Sequence, residues 1–278
     1  MSSVPVVRGG VFSYPGGDAR MARHILRLVP PHKTFCEPFV GGGAVTWAHP
    51  GGVRFVVGDA DPMVIAIWQD IKTGRLREKL SRTTCVLGSH KNLEAINALG
   101  NKRTPLQNLA IWRMSLMGRI DSTITPDEKY AKDGFCFTKL KRNADKMYEK
   151  AQHIEIRSGD WEKTVQFCDS KSTFFYLDPP WAGHSVSKCY NKTEFSPQGM
   201  FEFLRGIQGK FLMYHHFKQD VADMARDFDF YTYQVGKRFK RGKGNDLDSR
   251  KVGNGDIKGG YLFVSNYNIP LSQWKAPT

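Results

Sequence analysis

Short apolar runs punctuated by glycines and acids recur along this chain and constrain its fold more than any other feature: Thr34–Glu37, Val53–Asp59, Ile154–Asp160, Thr173–Asp178 and Lys210–Tyr214. They are rich in β-branched and aromatic residues, too short for buried helices, and followed by segments of helical period, the pattern of strands covered on both faces in a parallel sheet. Ala60–Lys72 shows that period, with Met63, Ile67 and Ile71 on one face. Strands alternating with helices predict a doubly wound α/β sheet.

Two later runs, Phe230–Val235 and Gly260–Ser265, flank a Gly/Lys/Arg-rich stretch of little apolar content and are expected to form an antiparallel pair with a long loop. Between about Ser81 and Gln152 the alternation breaks into helical patterns, a turn-rich stretch at Asp121–Phe137 and a basic helix. The expected organisation is a catalytic body of residues 1–80 and 153–278 with a mostly helical subdomain, 81–152, inserted in it. A chain of 278 residues is long enough for such a body with its insertion.

Lys and Arg number 41 against 27 Asp and Glu, a formal charge of +14, which suits a polyanionic partner. The basic residues concentrate in the runs Lys72–Arg82, Lys139–Lys150 and Lys237–Lys251, a distribution that solubility alone does not require. Five cysteines, odd in number and without a CxxC pair, argue for reduced thiols rather than disulfides or zinc. No stretch approaches the ~20 apolar residues of a membrane span, and the N-terminus has no uninterrupted apolar core of an export signal. The expected compartment is the cytoplasm. His215 and His216 are adjacent on an extended segment, so their side chains point to opposite faces and make no metal site.

Three motifs carry chemistry. Phe35-Cys-Glu-Pro-Phe-Val-Gly-Gly-Gly-Ala44 is a strand running into a glycine-rich turn and a helix, where backbone amides approach a ligand closely and the carboxylate of Glu37 can neutralise a cationic amino-acid moiety. Asp59, at the end of the next strand, is placed to accept hydrogen bonds from ribose hydroxyls; its other reading is a helix cap, for which Asp61 is the better residue. Asp178-Pro-Pro-Trp181 follows the buried run Phe174–Leu177, and its double proline holds Asp178 and the Pro179 carbonyl rigidly at the strand end. An aromatic amino nitrogen is a poor nucleophile because its lone pair is delocalised. Accepting both of its protons, through the Asp178 carboxylate and the Pro179 carbonyl, favours a pyramidal nitrogen aimed at an electrophile. Pro180 stiffens the turn, and Trp181 offers a face on which an extruded base can stack. Asp160 and Trp161 stand at the end of the preceding strand, where Asp160 either accepts from an adenine amino group or caps the following helix.

Tyr14-Pro-Gly-Gly17, Glu37-Pro-Phe-Val-Gly-Gly-Gly43, Asp59 and Asp178-Pro-Pro-Trp181, in this order, resemble the Dam-like, or D12-class, adenine-N6 DNA methyltransferases. The late segment Gly259–Tyr267 is similar to a strand of that family. The resemblance implies a Rossmann-like S-adenosylmethionine-dependent methyltransferase sheet, with the insertion serving target recognition. It assigns cofactor binding to Tyr14, Gly16, Gly17, Asp18, Glu37, Pro38, Phe39, Gly41, Gly43 and Asp59, with Asp160 and Trp161 at the cofactor adenine, and catalysis to Asp178, Pro179, Pro180 and Trp181. The family continues its first motif with lysine where this chain has Asp18, leaving Arg20 and Arg23 as replacements for that charge, and more often ends its last motif in tyrosine. The partner implied is double-stranded DNA, its phosphates met by Arg238, Lys240, Arg241 and Lys243 in the Gly-rich loop and by Lys139, Lys141 and Arg142 of the basic helix. Paired acceptors suit any amidine-like amino group, so N4 of cytosine and N6 of adenine in RNA are rival substrates. A non-enzymatic DNA-binding relic is the rival outside enzymology.

Overall fold

A computed structural model describes residues 4–7, 19, 21–82, 90–114, 137–180, 195–236 and 260–269. Their strands are β1 (Thr34–Glu37), β2 (Arg54–Asp59), β3 (Ile154–Ser158), β4 (Thr173–Leu177), β5 (Lys210–His216), β6 (Tyr231–Gly236) and β7 (Gly260–Ser265). Their helices are α1 (Ala22–Ile25), α2 (Ala44–Ala48), α3 (Pro62–Lys72), α4 (Arg75–Arg82), α5 (His90–Ala98), α6 (Pro105–Met114), α7 (Thr138–Ala151), α8 (Trp161–Cys168), α9 (Pro197–Leu204) and α10 (Gln219–Asp227). The strands form one seven-stranded sheet in the order β3-β2-β1-β4-β5-β7-β6. The first five run parallel; β7 enters antiparallel between β5 and β6, as its pairing of His216 with Tyr261 and of Gly236 with Gly260 shows.

The central strands are apolar on both faces because both faces are covered. Along β4 every residue is buried: Phe174 and Tyr176 enter one core layer with Phe35, Phe55 and Trp68, whereas Phe175 and Leu177 enter the other with Val165, Phe201 and Phe211. Alternation survives as a choice of layer, not as a choice between core and water. The first layer is built by the helices before β3, with α7 packed on α3 and α4, and α6 on α3; the second by α8, α9 and α10. Helix α7 lies within the range 81–152, and its buried residues Leu140, Met147 and Ala151 belong to the same core layer as the sheet residues Phe55 and Phe174.

Local sequence sets the helix starts. Asp61 accepts from the Met63 amide (2.8 Å) with Pro62 beginning α3, and Ser196 accepts from the Gly199 amide (3.2 Å) with Pro197 beginning α9. Helix α7 leads into β3 and ends in a lysine that is not a surface charge. Lys150 is fully buried and donates to the carbonyls of Trp47 (3.0 Å) and His49 (2.6 Å) at the C-terminal end of α2, while burial pushes its pKa down to about 8. Among the described residues no helix is long and apolar enough to cross a membrane.

Candidate active site at the carboxyl edge of the sheet

Four neighbouring parallel strands deliver the candidate residues to one edge. β1 ends in Glu37, β2 ends in Asp59, β3 leads through Gly159 to Asp160, and β4 leads directly to Asp178-Pro179-Pro180. The order departs from β1 in both directions, towards β2 on one side and β4 on the other, and the crevice beside such a reversal is where open α/β sheets bind ligands.

Glu37 is only 3% exposed, and its Oε2 accepts from the backbone amide of Thr46 (3.0 Å) and from the Thr46 hydroxyl. Gly43, the residue before α2, has no side chain to cap the helix, so Glu37 reaches from the strand to do it. The turn between them needs its glycines. Gly41 and Gly43 have φ of 41° and 61°, in the left-handed region, and a Cβ on Gly43 would lie 2.3 Å from the Trp68 ring. Trp68 stacks on Trp47 with centroids 4.6 Å apart, and its indole N–H donates to the Gly41 carbonyl (3.0 Å). This pair of rings is the floor of the turn.

Asp59 is tied to the same turn. Its Oδ2 accepts from the Gly41 amide and its Oδ1 from the Asp61 amide, both at 2.9 Å. Asp61, not Asp59, is the cap of α3. Burial pushes the Asp59 carboxyl up to about 6, against the opposing effect of the amides that donate to it. Beside it Gly159, with φ of 109°, donates its amide to the Asp59 carbonyl (3.0 Å) and has open space where a side chain would begin.

Asp160 is the cap of α8, with Oδ1 3.4 Å from the Glu162 amide, so the capping half of its two readings is present in the structure. Trp161 stacks on Phe39 (centroids 5.5 Å, planes at 26°); Phe203 meets Trp161 edge-on at 4.9 Å and Phe195 meets Phe39 edge-on at 6.3 Å. Pro38 is buried. Phe195 and Phe203 thus pack against the two aromatic residues of the candidate cofactor site, Phe39 and Trp161. Asp178 and Pro180 are half-buried and Pro179 is buried. Among the described residues no group of three or more His, Cys, Asp or Glu is arranged to hold a metal ion.

Lys141 and Arg142 are exposed on α7, and Arg23 is exposed on α1. Lys150 lies at the end of the sheet remote from the site, and Lys141, nine positions earlier, stands about 14 Å back along the helix towards the site edge. Gly236 and Gly260, which bracket the Gly/Lys/Arg-rich stretch, pair with each other beyond the level of His216, also at this edge. Tyr14, Gly16, Gly17, Asp18, Arg20, Trp181, Arg238, Lys240, Arg241 and Lys243 lie outside the described residues, as does the side chain of Lys139.

Sequence reasoning missed Thr46 and Trp68. The signal for Thr46 was its place in the first turn of the helix that follows the Glu37 turn; for Trp68, 27 positions from the carbonyl it binds, there was none.

No curated protein matches the chain. Residues 14–97 match the model of the D12 class N6 adenine-specific DNA methyltransferase family. The span covers the Glu37 turn and Asp59 and ends before Asp178. Over residues 14–97 the chain therefore carries the signature of the D12 class N6 adenine-specific DNA methyltransferases, and its seven-stranded mixed α/β sheet is consistent with the methyltransferase fold of that family.

Proposed function

We propose that the chain transfers a methyl group from S-adenosylmethionine to N6 of an adenine extruded from double-stranded DNA. The observation that carries this reading is the convergence of the Glu37 turn, Asp59 and Asp178-Pro179-Pro180 on adjacent strand ends, within a chain whose first third matches an adenine-N6 family.

The residues fit the cofactor. Asp59 is a half-buried carboxylate held by two amides and shifted towards protonation, an environment that hydroxyl donors of a ribose would complete. The glycine turn brings the backbone of Gly41 against it, and Gly159 leaves space beside it. When bound, S-adenosylmethionine supplies a methyl group already activated by a sulfonium. The protein's part is to make the amino nitrogen a nucleophile. The Asp178 carboxylate and the Pro179 carbonyl accept its two protons, and the prolines prevent the acceptors from relaxing away. Trp181 stacks on the base. Extrusion costs stacking and pairing energy, which contacts to phosphate and to the flipped base offset.

The test is incubation of the protein with methyl-labelled S-adenosylmethionine and duplex DNA, followed by digestion to nucleosides and mass spectrometry. N6-methyladenine is expected; N4-methylcytosine, or methylation of RNA alone, replaces this substrate with another. Asp178→Ala is expected to lower transfer by at least about a thousandfold while retaining cofactor affinity, since its interaction belongs to the transition state. Near-normal turnover in that variant overturns the assignment.

A further inference from the structure

We propose that Thr46 is a positioning residue for the cofactor: it fixes the carboxylate of Glu37 so that the cationic amino-acid end of S-adenosylmethionine meets it in one orientation. The inference rests on the cofactor reading above.

The geometry is specific. Glu37 closes β1 and Thr46 lies in the first turn of α2, across the glycine turn. Thr46 offers two donors, its amide N–H at 3.0 Å and its hydroxyl, and both end on the same oxygen, Oε2. One bond would leave the carboxylate free to swing about its terminal torsion, which is soft. Two bonds from a fully buried residue pin its plane. Capping α2 requires only that the amide be satisfied, which a single acceptor does. The hydroxyl adds nothing the helix needs and constrains the direction of the carboxylate. The residue type matters for that reason. Valine has the same shape and keeps the amide bond but has no hydroxyl; serine keeps the hydroxyl and loses a methyl.

The test compares two ligands that differ only in the part Glu37 is to hold. S-adenosylhomocysteine carries the amino-acid end; 5′-methylthioadenosine has the same nucleoside and sulfur without it. Binding of each is measured by calorimetry on the full chain, with melting curves for every variant. Thr46→Val is expected to weaken S-adenosylhomocysteine roughly tenfold or more, the scale of a lost hydrogen bond to a charged group, and to leave 5′-methylthioadenosine unchanged, while Thr46→Ser restores affinity to near wild type. Equal binding of S-adenosylhomocysteine by wild type and Thr46→Val overturns the proposal. So does an equal loss for both ligands, which marks Thr46 as a structural support of the turn. Should Thr46→Val not fold, Thr46→Ala, which also lacks the hydroxyl and is smaller, is read by the same two outcomes. If folded wild-type protein binds 5′-methylthioadenosine but not S-adenosylhomocysteine, the role of Glu37 and Thr46 fails alone. If it binds neither ligand, the cofactor reading fails with it.

Discussion

Asp59 and Asp178 are both half-buried carboxylates at the ends of parallel strands, and their surroundings differ. Asp178 is followed by two prolines, which fix the backbone beyond it. Asp59 is held by the amides of Gly41 and Asp61, and its rise to about 6 is first a consequence of burial of its carboxyl. The sign follows from linkage. A carboxyl raised from its ordinary 3.8 to about 6 contributes stability that is fully present below about pH 4 and is lost as pH rises through 6. By pH 7 the loss is roughly 3 kcal/mol, since each tenfold change in an ionisation equilibrium is worth about 1.4 kcal/mol. Ribose hydroxyls that donate to the ionised carboxylate reverse part of this cost, so cofactor affinity should fall as pH is lowered below about 6, by at most about tenfold per pH unit. Asp59→Asn should bind the cofactor more weakly at neutral pH and lose this dependence. Calorimetric titrations between pH 5 and 8 on both proteins check it, and a flat profile for the wild type would exclude Asp59 as the titrating acceptor. That Asp59 is not a helix cap was legible from the Asp61-Pro62 pair, because an acid directly before a proline is the stronger cap signal. The Thr46 pairing was not: α2 spans five residues, too few for periodicity to show which side chain turns back towards β1.

At the scale of elements, the central parallel strands were legible because burial on both faces leaves few polar residues inside them; the start of each observed strand falls within one residue of the run that announced it. The helices were legible where they carry an apolar stripe, as α3 does, but not where their charges turn inward. Lys150 looked like the last member of a surface run, and its burial against the end of α2 depends on a chain reversal a hundred residues long. Lys79 and Arg75 likewise face the buried Asp70 of α3, so part of the run Lys72–Arg82 joins two helices. The glycine turn is the element most exposed to a small change. Gly43→Ala would put a methyl into the Trp68 ring with φ at 61°, adding a steric clash to backbone strain. It should cost roughly 2–4 kcal/mol, as overpacking and a strained residue combine. Because the indole also holds the Gly41 carbonyl, whose residue donates to Asp59, cofactor affinity should fall with stability. Urea unfolding and calorimetry measure the two; full stability would mean that the Trp47–Trp68 stack yields to the methyl at no cost.

Across the whole molecule, the sheet sorts its charges by edge. The carboxylates Glu37, Asp59 and Asp178 stand at the carboxyl edge, where Gly236 and Gly260 hold the two ends of the basic stretch and the exposed Lys141 and Arg142 lie on the half of α7 nearer to it. A net charge of +14 would draw a polyanion to any face, but among the described residues this is the edge where exposed cations stand with Asp178, proposed above as the amino-group acceptor. DNA bound at this edge, as proposed, would draw its phosphate contacts from Arg238, Lys240, Arg241 and Lys243 of the sequence between Gly236 and Gly260, and from Lys141 and Arg142 of α7. Neutralising the first four together should lower affinity about equally on unrelated duplexes, because phosphates carry no base information. For every phosphate left without its cation, the slope of log K against log salt should decrease by roughly 0.9. Neutralising Lys141 and Arg142 should produce a smaller reduction of the same kind. Neutralising Lys210, exposed at the opposite edge where β5 begins, should leave the slope alone. Salt titrations of the three variants and wild type on two duplexes separate the cases. A slope that responds to Lys210 as strongly as to the site-edge residues would mean that net charge, not the sorting of charge by edge, holds the DNA. A loss confined to one duplex would mean that the residues concerned read bases.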